Sequence, residues 1–198
     1  MGMLSAGWSV VGIDRDARML KGYPGLALCA DVFALRAAPV GFDLIWASPA
    51  CQGYSAATPV AARGRHARDI PRLRRLLVGW GIPFIIENVP SAPLRRDLVL
   101  CGAMFGLPVV RHRVFELHGV RVRQPRHRLH PAHPVQLTGG GACHTPRRPG
   151  IGGERRKVAV AEARRIMGMP WATKRQVNEA LPPEYSAYIF RHLEFLPT

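Results

Sequence analysis

The chain has 198 residues, 47% of them hydrophobic, which is enough for one domain with a substantial core. No apolar run approaches the length of a membrane span and the N-terminus lacks the basic-then-apolar pattern of a signal peptide, so a cytoplasmic protein without a membrane partner is expected. The 28 Lys and Arg against 13 Asp and Glu leave a net charge of +15, and a polyanion is the obvious partner.

In chain order, "GWSVVGID", "GFDLIWASP" and "GIPFIIENVP" are short apolar runs that end in polar residues. Each reads as a buried parallel strand with chemistry at its carboxyl end. Between the last two, "RDIPRLRRLLVGWG" places Ile70, Leu73, Leu76 and Leu77 at the spacing of one helix face and stops at glycine. Strands alternating with helices predict a doubly wound α/β sheet, whose ligands sit beyond the carboxyl ends of the strands. "RHRVFELHGVRVRQ" reads as a β-hairpin. The stretch that follows, rich in Pro, Gly, Arg and His, has no apolar period and reads as a loop. Helical patterns return in "VAVAEARRIMGMPW", ending at Gly168 or Pro170, and in "PPEYSAYIFRHLEFL". Three regions are expected: a core over 1–118, a basic loop over 119–157, and C-terminal helices over 158–198 that complete the core.

The charge is uneven. Between Arg111 and Arg175 stand 15 Lys or Arg against three acids, together with six of the eight histidines. His127, His130, His133, Cys143 and His144 could be read as zinc ligands, but their spacing does not follow the usual paired pattern. The reading is a basic loop with no metal. Cys29, Cys51, Cys101 and Cys143 form no CxxC pair, and they read as thiols rather than a disulfide framework.

Cys51, in "SPACQGYS", stands after one strand, and Glu87 and Asn88 end the next, so all three are expected at one crevice. A thiol beside a carboxylic acid lacks the histidine base of a protease. It suits attack on carbon 6 of a pyrimidine, with the acid serving N3 and the exocyclic amine and with Arg111 and Arg113 holding the base carbonyl and the phosphate. The plain alternatives are a buried, inert cysteine, a strand-end carboxylate with a structural hydrogen bond, and solvated hairpin arginines.

"SPACQGYS", "FIIENVP" and "RHRVFE", in this order, resemble the nucleophile, ENV and arginine motifs of DNA (cytosine-5) methyltransferases, in the short form found in phages and their hosts. "GWSVVGID" and "CADVFAL" resemble the segments that hold the methyl donor, and "EALPPEYSAYI" resembles the closing motif. The resemblance implies a Rossmann-like fold dependent on S-adenosylmethionine. Its partner would be double-stranded DNA with a flipped cytosine, acted on by a monomer in a bacterial or phage-infected cell. It implies Cys51 as the nucleophile, Glu87 at N3 and the amine, Asn88 supporting the Cys51 loop, and Arg111 and Arg113 orienting base and loop. Cofactor contacts fall on Asp14, Arg15, Asp31, Val32 and Pro49, with Asp14 on the ribose hydroxyls and Asp31 on the adenine amine. DNA contacts fall on Gln52, Ser55, Arg147, Arg148, Arg155 and Arg156.

Departures from the family pattern are also visible. The family opens with a strand and an FxGxGG loop, whereas this sequence opens on "MGMLSAGW". The expectation is a fold without its first strand, through a misassigned start, a true loss, or a strand supplied by a partner. Ala50, Val109 and Glu179 stand where the family has proline, glutamine and asparagine. A reduced basic loop takes the place of a target-recognition domain. A DNA-binding remnant without activity, and an RNA-directed enzyme of the same fold, are the competing expectations.

Overall fold

A computed structural model describes residues 1–137 and 156–197. The helices are α1 (Gly2–Ser5), α2 (Ala17–Leu20), α3 (Val60–Arg63), α4 (Ile70–Trp80), α5 (Val160–Ile166), α6 (Lys174–Glu179) and α7 (Pro183–His192). The strands are β1 (Val11–Asp14), β2 (Leu26–Cys29), β3 (Ile45–Ala47), β4 (Phe84–Asn88), β5 (Leu98–Leu100), β6 (Arg113–His118), β7 (Val120–Val122), β8 (Val135–Gln136), β9 (Arg156–Lys157) and β10 (Leu193–Phe195). The molecule is mixed α/β, as the alternation of strand and helix patterns predicts.

The main sheet has the order β3-β4-β6-β5; β3 and β4 run parallel, and β6 is antiparallel to both of its neighbours. β4 is buried along its whole length. Its period of two sends Ile85 to one face, with Phe115, Tyr185 and Ile189, and sends Phe84 and Ile86 to the other, with Leu73 and Leu77 of α4. α4 forms where the sequence places it. Ile70, Leu73 and Leu77 face inward, and the helix stops at Gly81, whose φ of 69° is left-handed. Leu76, expected on the same face, is only half-buried.

The α4 face of the sheet also carries a charge. Glu116 of β6 sits opposite Ile86 and is 1% exposed. Arg74 of α4 donates from Nε to Oε1 and from Nη2 to Oε2, each at 2.7 Å, and the backbone N–H of Arg95 donates to Oε2 at 3.0 Å. This forked pair fastens helix, sheet and the 93–95 turn to one another. Burial alone would raise the Glu116 carboxyl, but the hydrogen bonds from Arg74 and Arg95 outweigh it and hold the group below its usual range.

Three expectations need correction. "RHRVFELHGVRVRQ" is not a hairpin: after Gly119, with φ 69°, β7 leaves β6 and pairs antiparallel with β10. The tail "LEF", expected to continue the last helix, supplies that strand, because Val120 and Val122 need an apolar cover that β6, already paired on both edges, cannot give. The first run is not a buried strand of the main sheet. β1 pairs only with β2, in parallel, and Val11, Ile13, Leu26 and Leu28 are 39–76% exposed. Among the described residues the strands therefore form four sheets rather than one.

α7 starts at its proline and lays Tyr185, Ile189 and Phe190 on the sheet face that α4 leaves open. The Trp8 ring meets Phe190 edge-on at 4.9 Å. α5 ends just before Gly168, as the sequence predicts, and packs with Val109, Val135 and Val177 in a smaller cluster. No helix of the described residues is long and apolar enough to cross a membrane.

Candidate functional site

Parallel pairing of β3 with β4 brings Ala47 opposite Ile86, so the chain leaving β3 at Ser48 and Pro49 runs beside Glu87 and Asn88. Asn88 fixes that exit: its Nδ2 donates to the Pro49 carbonyl at 2.8 Å, and its Oδ1 accepts from the Val89 N–H at 2.9 Å. The loop then turns at Cys51, whose carbonyl accepts from the N–H groups of Tyr54 and Ser55, both at 2.9 Å. Tyr54, 5% exposed, anchors the turn. Its hydroxyl accepts from Ile70 N at the start of α4, and its carbonyl accepts from the Ser91 hydroxyl at 2.6 Å. Gly53 is required by space, since a Cβ there would lie 2.7 Å from the Ala67 carbonyl oxygen.

Glu87 is the buried acid of the crevice. Its Oε1 pairs with Arg113 Nε at 2.9 Å, with side chains 9% and 13% exposed, and it also takes a hydrogen bond from the Ser48 hydroxyl. Trp46 Nε1 in turn donates to Ser48 at 2.8 Å, so the acid is held by a short chain of polar contacts. Burial and the two arginines pull Glu87 in opposite directions, and burial wins: the carboxyl is raised above its usual range. A proton on Glu87 is thereby made easier to hold.

Arg113 begins β6, and Arg111 lies two residues before it. Arg111 is 8% exposed. Its Nη2 donates to the Asn178 carbonyl at 2.6 Å, while its own carbonyl accepts from the buried Tyr185 hydroxyl at 2.6 Å. Burial, with the nearby charge of Arg113, lowers its pKa to about 10. Arg111 Nε is buried without a hydrogen-bond partner among the described residues. A buried, unpaired donor of this kind costs roughly 1–3 kcal/mol or more unless an acceptor reaches it.

Cys51 is half-buried at the centre of this group. Desolvation raises its thiol above the ordinary value of 9.0; Arg113 and Arg111 work against that, and Glu87 adds to it. The resting side chain is therefore a protonated thiol, unlike a protease cysteine primed by a histidine. Alkylation of Cys51 by iodoacetamide, followed by peptide mass spectrometry, should be slow at pH 7 and still rising above pH 9, lagging behind exposed Cys29. A plateau reached below pH 8 would show a thiolate stabilised at rest.

Among the residues expected to hold a cofactor, Asp14 and Asp31 stand at or just past the ends of the parallel β1–β2 pair. Asp14 Oδ1 accepts from Asp16 N at 2.8 Å, and Asp31 Oδ1 caps a 3-10 turn by accepting from Phe33 N at 2.9 Å. Val32 and Phe33 pack against the cluster of α4 and β4, and Arg72 lies over the Phe33 ring at 4.0 Å, so Asp31 is carried toward the main sheet. Arg15 is exposed, and its carbonyl accepts from Cys29 Sγ. Gln52 and Ser55 are half-buried in the Cys51 loop, where Ser55 Oγ caps Ala57 N. Arg147, Arg148 and Arg155, with Cys143 and His144, lie outside the described residues, as does the Arg156 side chain.

Two features of the site carry little signal in the sequence. Tyr185 ties the closing helix to Arg111, and only the aromatic in "PPEYSAYI" hints at it. The other is a cluster of Cys101, His112, His127 and His130, one potential ligand atom from each lying within 4.8 Å of the others. Two of the histidines expected in a featureless basic loop thus converge with two residues that precede it, and His133 is not among them. No family model and no curated protein matches the sequence.

Proposed function

We propose that this protein is a DNA (cytosine-5) methyltransferase with a Rossmann-like fold. One observation carries the reading: Cys51, Glu87, Arg113 and Arg111 converge beyond the carboxyl ends of the parallel strands β3 and β4, and all three other groups act electrostatically on the Cys51 thiol. In the proposed reaction the Cys51 thiol gives up its proton to solvent and its sulfur adds to carbon 6 of a flipped cytosine. Glu87, whose carboxyl burial raises above its usual range, gives a hydrogen bond to N3 and accepts one from the amine, drawing electron density away from carbon 6. Arg111 Nε, without a hydrogen-bond partner among the described residues, meets the base carbonyl or a phosphate oxygen. Carbon 5 then acquires the methyl group, a base removes its proton, and the thiolate leaves.

S-adenosylmethionine would supply the methyl group. The acceptor chemistry of Asp14 and Asp31 fits the ribose hydroxyls and adenine amine of such a molecule, and Val32 and Pro49, both half-buried, provide apolar surface beside them. The DNA partner rests on charge, +15 over the chain, with the excess concentrated between Arg111 and Arg175.

A second reading, a DNA-binding form without methyl transfer, draws on the separation of β1–β2 from the main sheet and the exposure of its apolar side chains. Duplex DNA incubated with S-adenosylmethionine and the full chain, then digested to nucleosides for mass spectrometry, separates the two. The enzyme reading expects 5-methyldeoxycytidine with native protein and none with Cys51→Ser. DNA binding that survives with no methylated nucleoside in either sample would select the second.

A further inference from the structure

Cys101 follows β5, His112 lies between Arg111 and Arg113, and His127 and His130 stand in the segment after β7. These four residues, from three places separated by up to 29 residues, come together at one point. His112 Nε2 and His127 Nε2 are 3.3 Å apart, and Cys101 Sγ and His130 Nε2 are 3.6 Å apart. For a tetrahedral zinc ion with Zn–N of about 2.0–2.1 Å and Zn–S of about 2.3 Å, the expected ligand separations are about 3.3 Å for N···N and about 3.6 Å for S···N. Both distances match, and the other pairs of ligand atoms lie within 4.8 Å, so the side chains close in slightly around the ion.

The chemistry agrees with the geometry. One hydrogen bond between neutral imidazoles could explain the His112–His127 contact, but not a third ring and a thiol converging on the same point. The His112 and His127 rings lie parallel, 3° apart, while His130 stands at 79° to both. His112 and His130 are half-buried, Cys101 is buried and His127 is exposed, so the point where they meet lies at the edge of the core and within reach of an ion from solvent. We propose that Cys101 Sγ and the Nε2 atoms of His112, His127 and His130 bind one zinc ion. Binding releases the Cys101 thiol proton to solvent and gives a centre of net charge +1. Four protein ligands close the coordination sphere, which makes the site structural. An ion held there pins the start of the basic segment to β5 and to the residue between the two crevice arginines. Such a site is independent of methyl transfer.

The test uses the full chain, stripped with a chelator and then reconstituted with zinc or cobalt(II). One zinc per chain should remain after gel filtration, measured by plasma mass spectrometry. Cobalt(II) should give intense tetrahedral d–d bands and a thiolate charge-transfer band. Cys101→Ser should lose the charge-transfer band. His127→Ala and His130→Ala, at exposed and half-buried positions, should keep the circular dichroism of the native chain while losing stoichiometric metal. Should either variant misfold, native protein decides the matter through the cobalt spectrum and through proton release on zinc addition. No metal retained by the native chain, octahedral cobalt, or full occupancy in folded His127→Ala or His130→Ala would overturn the proposal.

Discussion

Arg74→Ala should lower the stability of the protein by about 2–3 kcal/mol, measured by urea unfolding at pH 7. The magnitude follows from what is left behind: the Glu116 side chain is 1% exposed, and without Arg74 its one remaining hydrogen bond among the described residues is from the Arg95 N–H. Removing one partner of a buried pair costs about 3–5 kcal/mol, and the lower figure applies because Arg74 is itself 32% exposed and water can partly replace it. The pH dependence has a definite sign. Glu116 is lowered in the folded state, so its contribution is present above its unfolded value of 4.5 and is lost as pH falls through the folded pKa. The gap between native protein and Arg74→Ala should therefore narrow below about pH 4.5 as the unpaired carboxyl gains a proton. A gap that stays constant from pH 7 down to pH 3 would mean that Arg74 acts through packing of its stem alone.

Glu87→Gln should slow methyl transfer in a single turnover by about 10²–10⁴-fold, the range for loss of a positioned proton-transfer group. The amide keeps the size of the side chain and can still hydrogen-bond to N3 and the amine, but it cannot transfer a proton to N3 as the ring gains electron density. It also releases Arg113 from its 2.9 Å pair, so stability should be measured in parallel. A single-turnover rate within a small factor of native, in a folded variant, would reduce Glu87 to a structural anchor for Arg113.

The crevice was legible because its parts are local. Cys51 and Glu87 each follow an apolar run that could be recognised from composition and length alone, and parallel pairing of those runs makes their ends neighbours. Helix α4 was legible for the same reason, its period and its glycine stop being properties of a single segment. What escaped depends on contacts between distant segments. Gly119 can close a hairpin or send the chain away, and only the competition for β6, already paired with β4 and β5, decides between them. Glu116 looks in sequence like an ordinary polar residue of a strand; that it faces α4 depends on register and on Arg74, 42 residues earlier. The cysteine–histidine cluster was invisible as spacing because its four members come from three separate places in the fold, with only His127 and His130 near each other in sequence.

The central claim is that Cys51 makes a covalent bond to the base. Duplex DNA carrying 5-fluorocytosine, incubated with the full chain and S-adenosylmethionine, should give a protein–DNA adduct that survives denaturing electrophoresis, because fluorine at carbon 5 cannot be abstracted as a proton. Peptide mapping should place the link on Cys51, and Cys51→Ser should give no adduct. An adduct of equal yield in Cys51→Ser, or one mapped to Cys29 or Cys101, would contradict the mechanism.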